Sequence, residues 1–318
     1  MIVSALVLFL TGVPAGAAAQ PYPSRPVRIV VPFPPGSSPD TLARGLAVQL
    51  GSQLGKTIVI DNRSGANGII GAEIVARAAP DGYTLLHTPP AFVINALVYK
   101  NLPYDVHKDY VPVTNVATSG GYLLLVAPSL PARSVQELVA LARTTPLSYG
   151  SPPAGNTLHL ATELFKLRTG APLQHIPYKG GTETFTALIS GQIQVLIVPT
   201  TTAVPYVKSG RLRALGFTGS SRLAILPDVP TVVEAGVPNY VVDFTWNGWF
   251  APAGTPNEIV ARLQTEVRKA VQAPRMRELL DNSGFTAVAN PPDQFRKFVN
   301  AEIKRYAEMV REAKVQAE

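Results

Sequence analysis

The chain has 318 residues, 46% of them apolar and 15% charged, which is enough for two ordinary domains with cores of their own. It contains no cysteine, which excludes disulfides, thiolate metal sites, a cysteine nucleophile and a lipid-anchored cysteine. The net charge of +7 comes from scattered Lys and Arg residues, so we expect a solvated surface and no nucleic-acid partner.

The N-terminal segment is apolar and carries no charge from Met1 to Leu10, and three alanines follow at positions 17–19. A short apolar run that ends in small residues is typical of a signal peptide. The run is shorter than the roughly 20 residues that a membrane span needs. We therefore expect residues 1–19 to be a signal peptide cleaved near Ala19, and the mature protein to be exported to the periplasm.

The segment that follows alternates strand and helix patterns. Residues 27–31 form a nearly continuous apolar run, typical of a strand buried on both faces. Leu42, Leu46, Leu50 and Leu54 recur every four residues before Gly55, which predicts a helix that ends there. Further strands are predicted at residues 56–60, 83–87, 147–151, 173–178, 193–198 and 212–218.

Helices are expected between these strands. A helix opens after Gly65, another is predicted at residues 91–99, and the capping box Ser134-Val-Gln-Glu137 places the start of a helix at 135–143. Apolar residues at helical spacing predict two more, at 259–271 and 295–310.

This alternation predicts an α/β fold with parallel sheets covered on both faces. Breaks near Ser119-Gly120-Gly121 and at residues 236–246 divide the chain. We expect one lobe to comprise residues 20–120 plus 238–318 and the other residues 121–237.

Enzyme and cofactor signatures are missing from the sequence. The G-x-x-G-x-x-G run at residues 65–71 is not the dinucleotide-binding motif and predicts a turn with close helix packing. His87, His107, His159 and His175 lack the spacing of paired metal ligands. We expect no catalytic activity, no metal and no cofactor.

Two loops carry a specific suggestion of chemistry. Residues 33–40 and residues 151–159 each follow a strand, open a helix and are rich in small polar residues. A helix start offers unpaired N–H groups and a partial positive charge, so two such loops facing across a cleft could hold a carboxylate. Ordinary N-caps are the alternative, and the residues alone leave it open.

Short motifs along the chain resemble those of the Bug family, the periplasmic binding components of tripartite tricarboxylate transporters. These motifs are Tyr22-Pro-Ser-Arg-Pro-Val-Arg-Ile-Val-Val-Pro-Phe-Pro-Pro-Gly36, Asp61-Asn-Arg-Ser-Gly65, Pro80-Asp-Gly-Tyr-Thr-Leu-Leu86, Leu102-Pro-Tyr-Asp105, His175-Ile-Pro-Tyr-Lys-Gly180, Gly210-Arg-Leu-Arg-Ala-Leu215, Leu226-Pro-Asp-Val-Pro-Thr231 and Ala251-Pro-Ala-Gly-Thr-Pro256. The resemblance spans essentially the whole chain after residue 21.

The resemblance implies a bilobal periplasmic-binding-protein fold, type II-like, that closes on a small carboxylate gripped by the two loops, partly through ordered waters. The expected ligand-binding residues are Pro35, Gly36, Ser37, Ser38, Asp40, Thr88, Ser151, Ala154, Gly155, Asn156, Thr157 and His159. Because both loops lie outside the predicted cores, we expect their side chains to affect binding and not stability.

Three departures from the family pattern bear on the ligand. Ser37 and Pro153 each replace a usual glycine, and Ala187 replaces an acidic residue that is common in the family. The last change argues against an amino-acid ligand, whose ammonium group wants an acidic partner. Phe244, Trp246 and Trp249 could line a pocket that accepts aromatic groups, although a core position is the stronger expectation for each.

The function implied is capture of a small organic mono- or dicarboxylate, aliphatic or aromatic, by a monomer that delivers it to membrane transporter subunits. The alternative is a sensor subunit that presents the ligand to a membrane histidine kinase. The sequence does not separate these two functions, because both need the same closed surface.

Overall fold

The structure is a computed structural model that describes residues 22–178, 181–243 and 245–316, without the side chains of residues 181 and 182. The predicted signal peptide at residues 1–19, the Lys179-Gly180 pair and Phe244 lie outside the described residues.

Eleven strands and ten α-helices are present in the described residues. The strands are β1 (Val27–Val31), β2 (Ile58–Asn62), β3 (Thr84–Thr88), β4 (Tyr110–Ser119), β5 (Tyr122–Val126), β6 (Leu147–Ser151), β7 (Leu173–Pro177), β8 (Val195–Pro199), β9 (Arg213–Phe217), β10 (Thr245–Pro252) and β11 (Phe285–Ala287). The helices are α1 (Ser38–Leu54), α2 (Ile69–Ala76), α3 (Ala91–Val98), α4 (Val135–Thr144), α5 (Thr157–Thr169), α6 (Gly181–Ile189), α7 (Thr200–Lys208), α8 (Asn257–Gln272), α9 (Pro274–Ser283) and α10 (Pro292–Glu312).

The strands form two separate sheets, as a bilobal α/β fold requires. One sheet has six strands in the order β11-β4-β10-β3-β1-β2, and the other has five in the order β7-β6-β8-β5-β9. The chain leaves the six-stranded sheet at the end of β4 and returns to it with β10. The division into lobes at residues 120/121 and 237/238 stays a prediction.

Both sheets are mixed, so the expectation of purely parallel sheets was wrong. β1 pairs in parallel with β2 and β3, and β6 pairs in parallel with β7 and β8. β10 runs antiparallel to β3 and β4, and β5 runs antiparallel to β8 and β9. β5 and β10 are the first strands after each passage between the sheets. Both therefore run antiparallel to the strands that belong to the βα units of their sheets.

The first βα unit follows the predicted pattern closely. Leu42, Leu46 and Leu50 of α1 are buried, and Gly55 ends the helix in the left-handed region with φ 61°. The following strand begins at Ile58, two residues later than predicted, although the Thr57 carbonyl already accepts a hydrogen bond from the Val27 N–H of β1.

The capping box at α4 forms with one change of partner. The Ser134 hydroxyl accepts a hydrogen bond from the Glu137 N–H, as predicted. The Glu137 carboxylate accepts from the Arg133 N–H at 2.7 Å instead of from Ser134. The helix still has both polar groups satisfied at its start.

The two tryptophans belong to the core. Trp246 is buried among Phe250, Phe295 and Phe298. Trp249 is also buried, and its Nε1 donates to His87 Nδ1 at 2.8 Å. The core expectation is therefore confirmed for both.

The long C-terminal helix α10 packs against α3 and β4 and also contacts α5. It therefore joins the parts of the molecule that carry the two sheets. Throughout the described ranges, no helix combines the length and the apolar character that crossing a membrane would require.

Candidate ligand-binding site

A cavity of about 310 Å³ opens between the two sheets, at the low end of the range for small-molecule sites. Its lining in the described chain consists of Phe33, Pro34, Gly36, Ser37, Ser38, Pro39, Thr41, Pro89, Tyr122, Pro152, Asn156, Thr157, Leu158, Phe185, Val198, Pro199, Thr201, Thr202, Pro205, Tyr206, Thr245 and Asn247. Both loops singled out from the sequence contribute to it. Five of the twelve expected residues are in this lining, namely Gly36, Ser37, Ser38, Asn156 and Thr157.

The start of α1 presents donors that the helix leaves unpaired. Ser37 is the N-cap, but its side chain makes no capping hydrogen bond, and its buried Oγ has no partner within the described chain. Pro39 has no N–H, so Ser38 and Asp40 supply the backbone donors that lack an acceptor inside the helix. This helix start can therefore hydrogen-bond an anion in the cavity.

Asp40 holds the loop before α1 in place and lies outside the cavity lining. Its carboxylate accepts hydrogen bonds from the Gly36 N–H at 2.8 Å and from Asn62 Nδ2 at 2.9 Å, and it pairs with Arg44 at 3.0 Å. Burial alone would raise the pKa of Asp40, but the hydrogen bonds from Arg44, Gly36 and Asn62 outweigh it and lower that pKa. The ionised carboxylate thus fixes the loop, a role that sequence reasoning did not assign to it.

The start of α5 is already engaged. Asn156 Oδ1 accepts from the Leu158 N–H at 2.9 Å, and Asn156 Nδ2 donates to Asn67 Oδ1 at 2.9 Å. Asn156 is 4% exposed. Its amide both caps a helix and bridges to a residue before α2, so these contacts argue against the expectation that this side chain leaves stability unaffected.

Two further contacts join separate segments of the chain near the cavity. Tyr99 Oη donates to the Ala154 carbonyl at 2.8 Å, and the Ser38 and Thr201 hydroxyls lie 2.9 Å apart. Gly155 has φ 87°, and a Cβ there would lie 2.9 Å from Asn95 Oδ1. The approach of this loop to Asn95 therefore requires glycine.

The remaining expected residues, as far as the described chain shows, lie outside the lining. Pro35 is exposed, and Thr88 is buried one residue before the lining Pro89. The Ser151 hydroxyl bonds His175 Nε2 at 2.8 Å. Ala154 and Gly155 face Tyr99 and Asn95, as described above, so these positions shape the site without contacting its interior.

His159 points to a different cavity. That cavity measures about 330 Å³ and is lined by Tyr99, Pro153, Ala154, His159, Glu163, His175, Pro177, Ala313, Lys314, Val315 and Gln316. Burial, with a further contribution from His175, lowers the pKa of His159 to about 4, so its imidazole is neutral at pH 7. In the described residues, no group of three or more His, Asp or Glu side chains could hold a metal ion.

Sequence reasoning missed the contribution of two strands to the cavity. Tyr122, on β5, and Thr245 and Asn247, on β10, line it. Asn247 is 1% exposed, and its Oδ1 has no hydrogen-bond partner among the described groups. In the sequence, Asn247 is a polar residue between two tryptophans in a largely apolar segment, and this pattern could have identified it.

A cluster of hydroxyls lies beside these strands. Burial raises the pKa of the Tyr122 hydroxyl, and the Thr157 and Thr245 hydroxyls beside it oppose that rise. Because the tyrosine stays protonated at neutral pH, it can donate a hydrogen bond into the cavity.

The rest of the lining is largely apolar. Phe185 on α6 stacks on Tyr206 of α7, with ring centroids 4.6 Å apart and planes at 14°. Ala187, two residues after Phe185, is 2% exposed and packs in the apolar cluster of Leu188 and Ile193. Ala187 is therefore outside the cavity lining, so its replacement of an acidic residue gives no reason to exclude an amino-acid ligand.

The sequence from residue 42 to residue 315 matches the family model described as "Tripartite tricarboxylate transporter family receptor", TctC. The chain belongs to the TctC family. This match covers most of the chain and confirms the resemblance to Bug proteins, because a Bug protein is also among its structural relatives.

Three solved structures illustrate the relationship. Rpa4515 of R. palustris, solved with adipate, has 37% sequence identity and a TM-score of 0.89, over 93% of this chain and 99% of that one. The periplasmic binding protein BugD has 30% identity and a TM-score of 0.88, over 93% of this chain and 100% of that one. MatC of Rhodopseudomonas palustris, solved with malate, has 31% identity and a TM-score of 0.85, over 91% and 100%.

These comparisons confirm the bilobal periplasmic-binding-protein fold that the sequence predicted. They also place this chain in a family of transporter receptors.

Proposed function

We propose that this TctC-family protein captures a small organic mono- or dicarboxylate in the cavity between its two sheets. It acts in the periplasm, after removal of residues 1–19, and delivers the ligand to the membrane subunits of a tripartite tricarboxylate transporter. It works as a monomer of two lobes, comprising residues 20–120 plus 238–318 and residues 121–237.

The observation that carries this proposal is that the helix starts of α1 and α5 reach one cavity from the two sheets. Each start places a partial positive charge and backbone N–H groups at the lining. Ser37 Oγ and the Tyr122 hydroxyl add side-chain donors. An anion bound there would find hydrogen bonds from both lobes, directly or through water.

The relatives support the same class of ligand. Rpa4515 was solved with adipate and MatC with malate, and both are small dicarboxylates. This chain aligns with nearly the full length of each. A carboxylate in its own cavity is the simplest extension of those two observations.

A thermal-shift screen of carboxylates, followed by calorimetric titration of the best ligand, tests the proposal. A ligand at 100 times its dissociation constant should stabilise the protein by about 2.7 kcal/mol. The variant Ser37→Leu should bind the ligand at least about tenfold more weakly, because the added side chain blocks the helix start.

Ser52→Leu is a matched control, since the same substitution falls at an exposed position of the same helix. Unchanged affinity in Ser37→Leu would place the site elsewhere. For the transport step, uptake of the labelled ligand by cells should be lost when the protein is deleted. Retained uptake, with loss of a ligand-induced transcriptional response, would favour the sensor function instead.

A further inference from the structure

The lobe that contains the five-stranded sheet gives the cavity an apolar wall. The residues that form it are Leu158, Phe185, Val198, Pro199, Pro205 and Tyr206. Phe185 is 4% exposed and Val198 1% exposed, so both are fixed in the packed interior of that lobe. A ligand that reaches this wall therefore meets a preformed surface.

The aromatic part of this wall is held from both α6 and α7. The Phe185 and Tyr206 rings are stacked, and the Arg211 guanidinium carbon lies 5.0 Å from the centroid of the Tyr206 ring. Stacking and cation–π contacts of this kind restrict the orientation of a ring. The Tyr206 ring is thus positioned before any ligand arrives.

The side-chain composition of the lining also favours an apolar ligand body. Within the described parts of the chain, the lining contains no Asp, Glu, Lys, Arg or His side chain. Tyr206 has the one polar group among the six side chains of this wall, so most hydroxyl groups on a ligand body would lose their water there without gaining a partner, and each unpaired polar group is costly to bury. An alkyl or aromatic body would instead gain from burial, at roughly 0.8 kcal/mol for each CH₂ group.

We infer that the ligand is a carboxylate with an alkyl or aromatic body that packs on Phe185 and Tyr206. The inference rests on the proposed function, because it assumes that the carboxylate binds at the helix starts of α1 and α5. The aromatic pair then determines which carboxylates bind. Polyhydroxylated acids bind more weakly, because most of this wall offers their hydroxyl groups no partner.

Charge-matched probes test this inference. Hexanoate and gluconate share a six-carbon chain and one carboxylate, and they differ in the hydroxyl groups of gluconate. Benzoate supplies an aromatic body with the same charge. By calorimetric titration, hexanoate or benzoate should bind the wild-type protein at least about tenfold more tightly than gluconate.

Substitutions in the wall should reduce this preference. Tyr206→Ala and Phe185→Ala should each weaken binding of the apolar-bodied acid about tenfold and leave gluconate binding nearly unchanged. Ile189→Ala is the matched control, because Ile189 lies on α6 but is 40% exposed and outside the described lining. Should Phe185→Ala fail to fold, the half-buried Tyr206 decides the question.

The outcomes separate the two proposals. Equal or tighter binding of gluconate overturns the inference and leaves carboxylate capture standing. A preference for apolar acids that persists in both wall variants also overturns it, because the aromatic pair would not be its cause. If no carboxylate binds in the wider thermal-shift screen, the proposed function fails and the inference fails with it.

Discussion

The helix starts of α1 and α5 look equivalent in the sequence but are used differently in the structure. At α1 the N-cap side chain of Ser37 makes no capping hydrogen bond, and Ser37 is part of the cavity lining. At α5 the N-cap side chain of Asn156 caps the helix and also bonds Asn67. One start keeps its polar side chain available, whereas the other uses it to join two regions of the protein.

The difference follows from the contacts that hold each loop in place. The α1 loop is held by the Asp40 carboxylate, which accepts the Gly36 N–H, so its N-cap side chain is not needed for support. The α5 loop is held by its contacts with Asn67 and Tyr99. We therefore expect substitutions at α1 to affect ligand binding alone, and substitutions at α5 to affect stability as well.

The largest expected effect separates the buried face of α1 from its start. Leu46 is completely buried, so Leu46→Ala should reduce the free energy of unfolding by about 2–5 kcal/mol. The intrinsic ligand affinity of the folded protein should change little. Chemical denaturation and calorimetry measure the two quantities. A large loss of affinity with intact stability would show that the helix face and its start are not independent.

Asn156→Ala tests the structural use of the α5 start. Loss of the cap should cost about 1 kcal/mol, and the buried Asn67 oxygen left without its donor should add about 1 kcal/mol or more. Asn156→Ser is the control, because serine is also a good N-cap but is too short to replace the bond to Asn67. It should recover part of the stability. Full wild-type stability of Asn156→Ala in a denaturant melt would contradict this account.

Ser37→Ala tests the available side chain at α1. Its free energy of unfolding should stay within about 0.5 kcal/mol of wild type, because the hydroxyl makes no capping bond. Binding of a carboxylate should weaken by about 1.5 kcal/mol, the low end for a hydrogen bond to a charged group. Titration calorimetry gives the second value. An unchanged dissociation constant would mean that only the backbone at this start contacts the ligand.

The pH dependence of stability tests the environment beside α5. A histidine in the unfolded chain titrates near 6.5, but burial and the neighbouring His175 lower the pKa of His159 to about 4 in the folded protein. Below pH 6.5 the unfolded state therefore binds a proton that the folded state refuses, so stability falls as the pH falls. The expected loss from His159 between pH 7 and pH 5.5 is about 1 kcal/mol.

His159→Gln should reduce this slope, and the same change at the exposed His107 should not. Part of the slope will remain, because burial also lowers the pKa of His87 to about 3. Denaturant melts at the two pH values provide the comparison. An identical slope in His159→Gln and wild type would show that His159 titrates normally in the folded protein.

The sequence predicted the parts of the fold whose signals are local. The leucine repeat of α1 ends at Gly55 as expected, and Ser134 caps α4. The strands β4, β5, β10 and β11 were not predicted. In β4 and β10, Pro112, Asn115 and Asn247 interrupt the apolar pattern. Their identity as strands depends on pairing with each other, which is a long-range property.

The candidate site was predictable only where it is built from consecutive residues. The loops before α1 and α5 were found because a helix start has a recognisable composition. Tyr122 and Asn247 reach the cavity from strands more than a hundred residues apart in sequence, and Phe185 from a third element. Conversely, His159 follows Asn156 by only three residues but lines another cavity, and this separation is not visible in the sequence.

A crystal structure of the protein with its best carboxylate ligand tests the central claim most directly. We expect the carboxylate at the start of α1, bonded directly or through one water to the Ser38 N–H and the Ser37 hydroxyl, with the start of α5 on its other side. A carboxylate bound in the cavity beside His159, or one that contacts neither helix start, would contradict it.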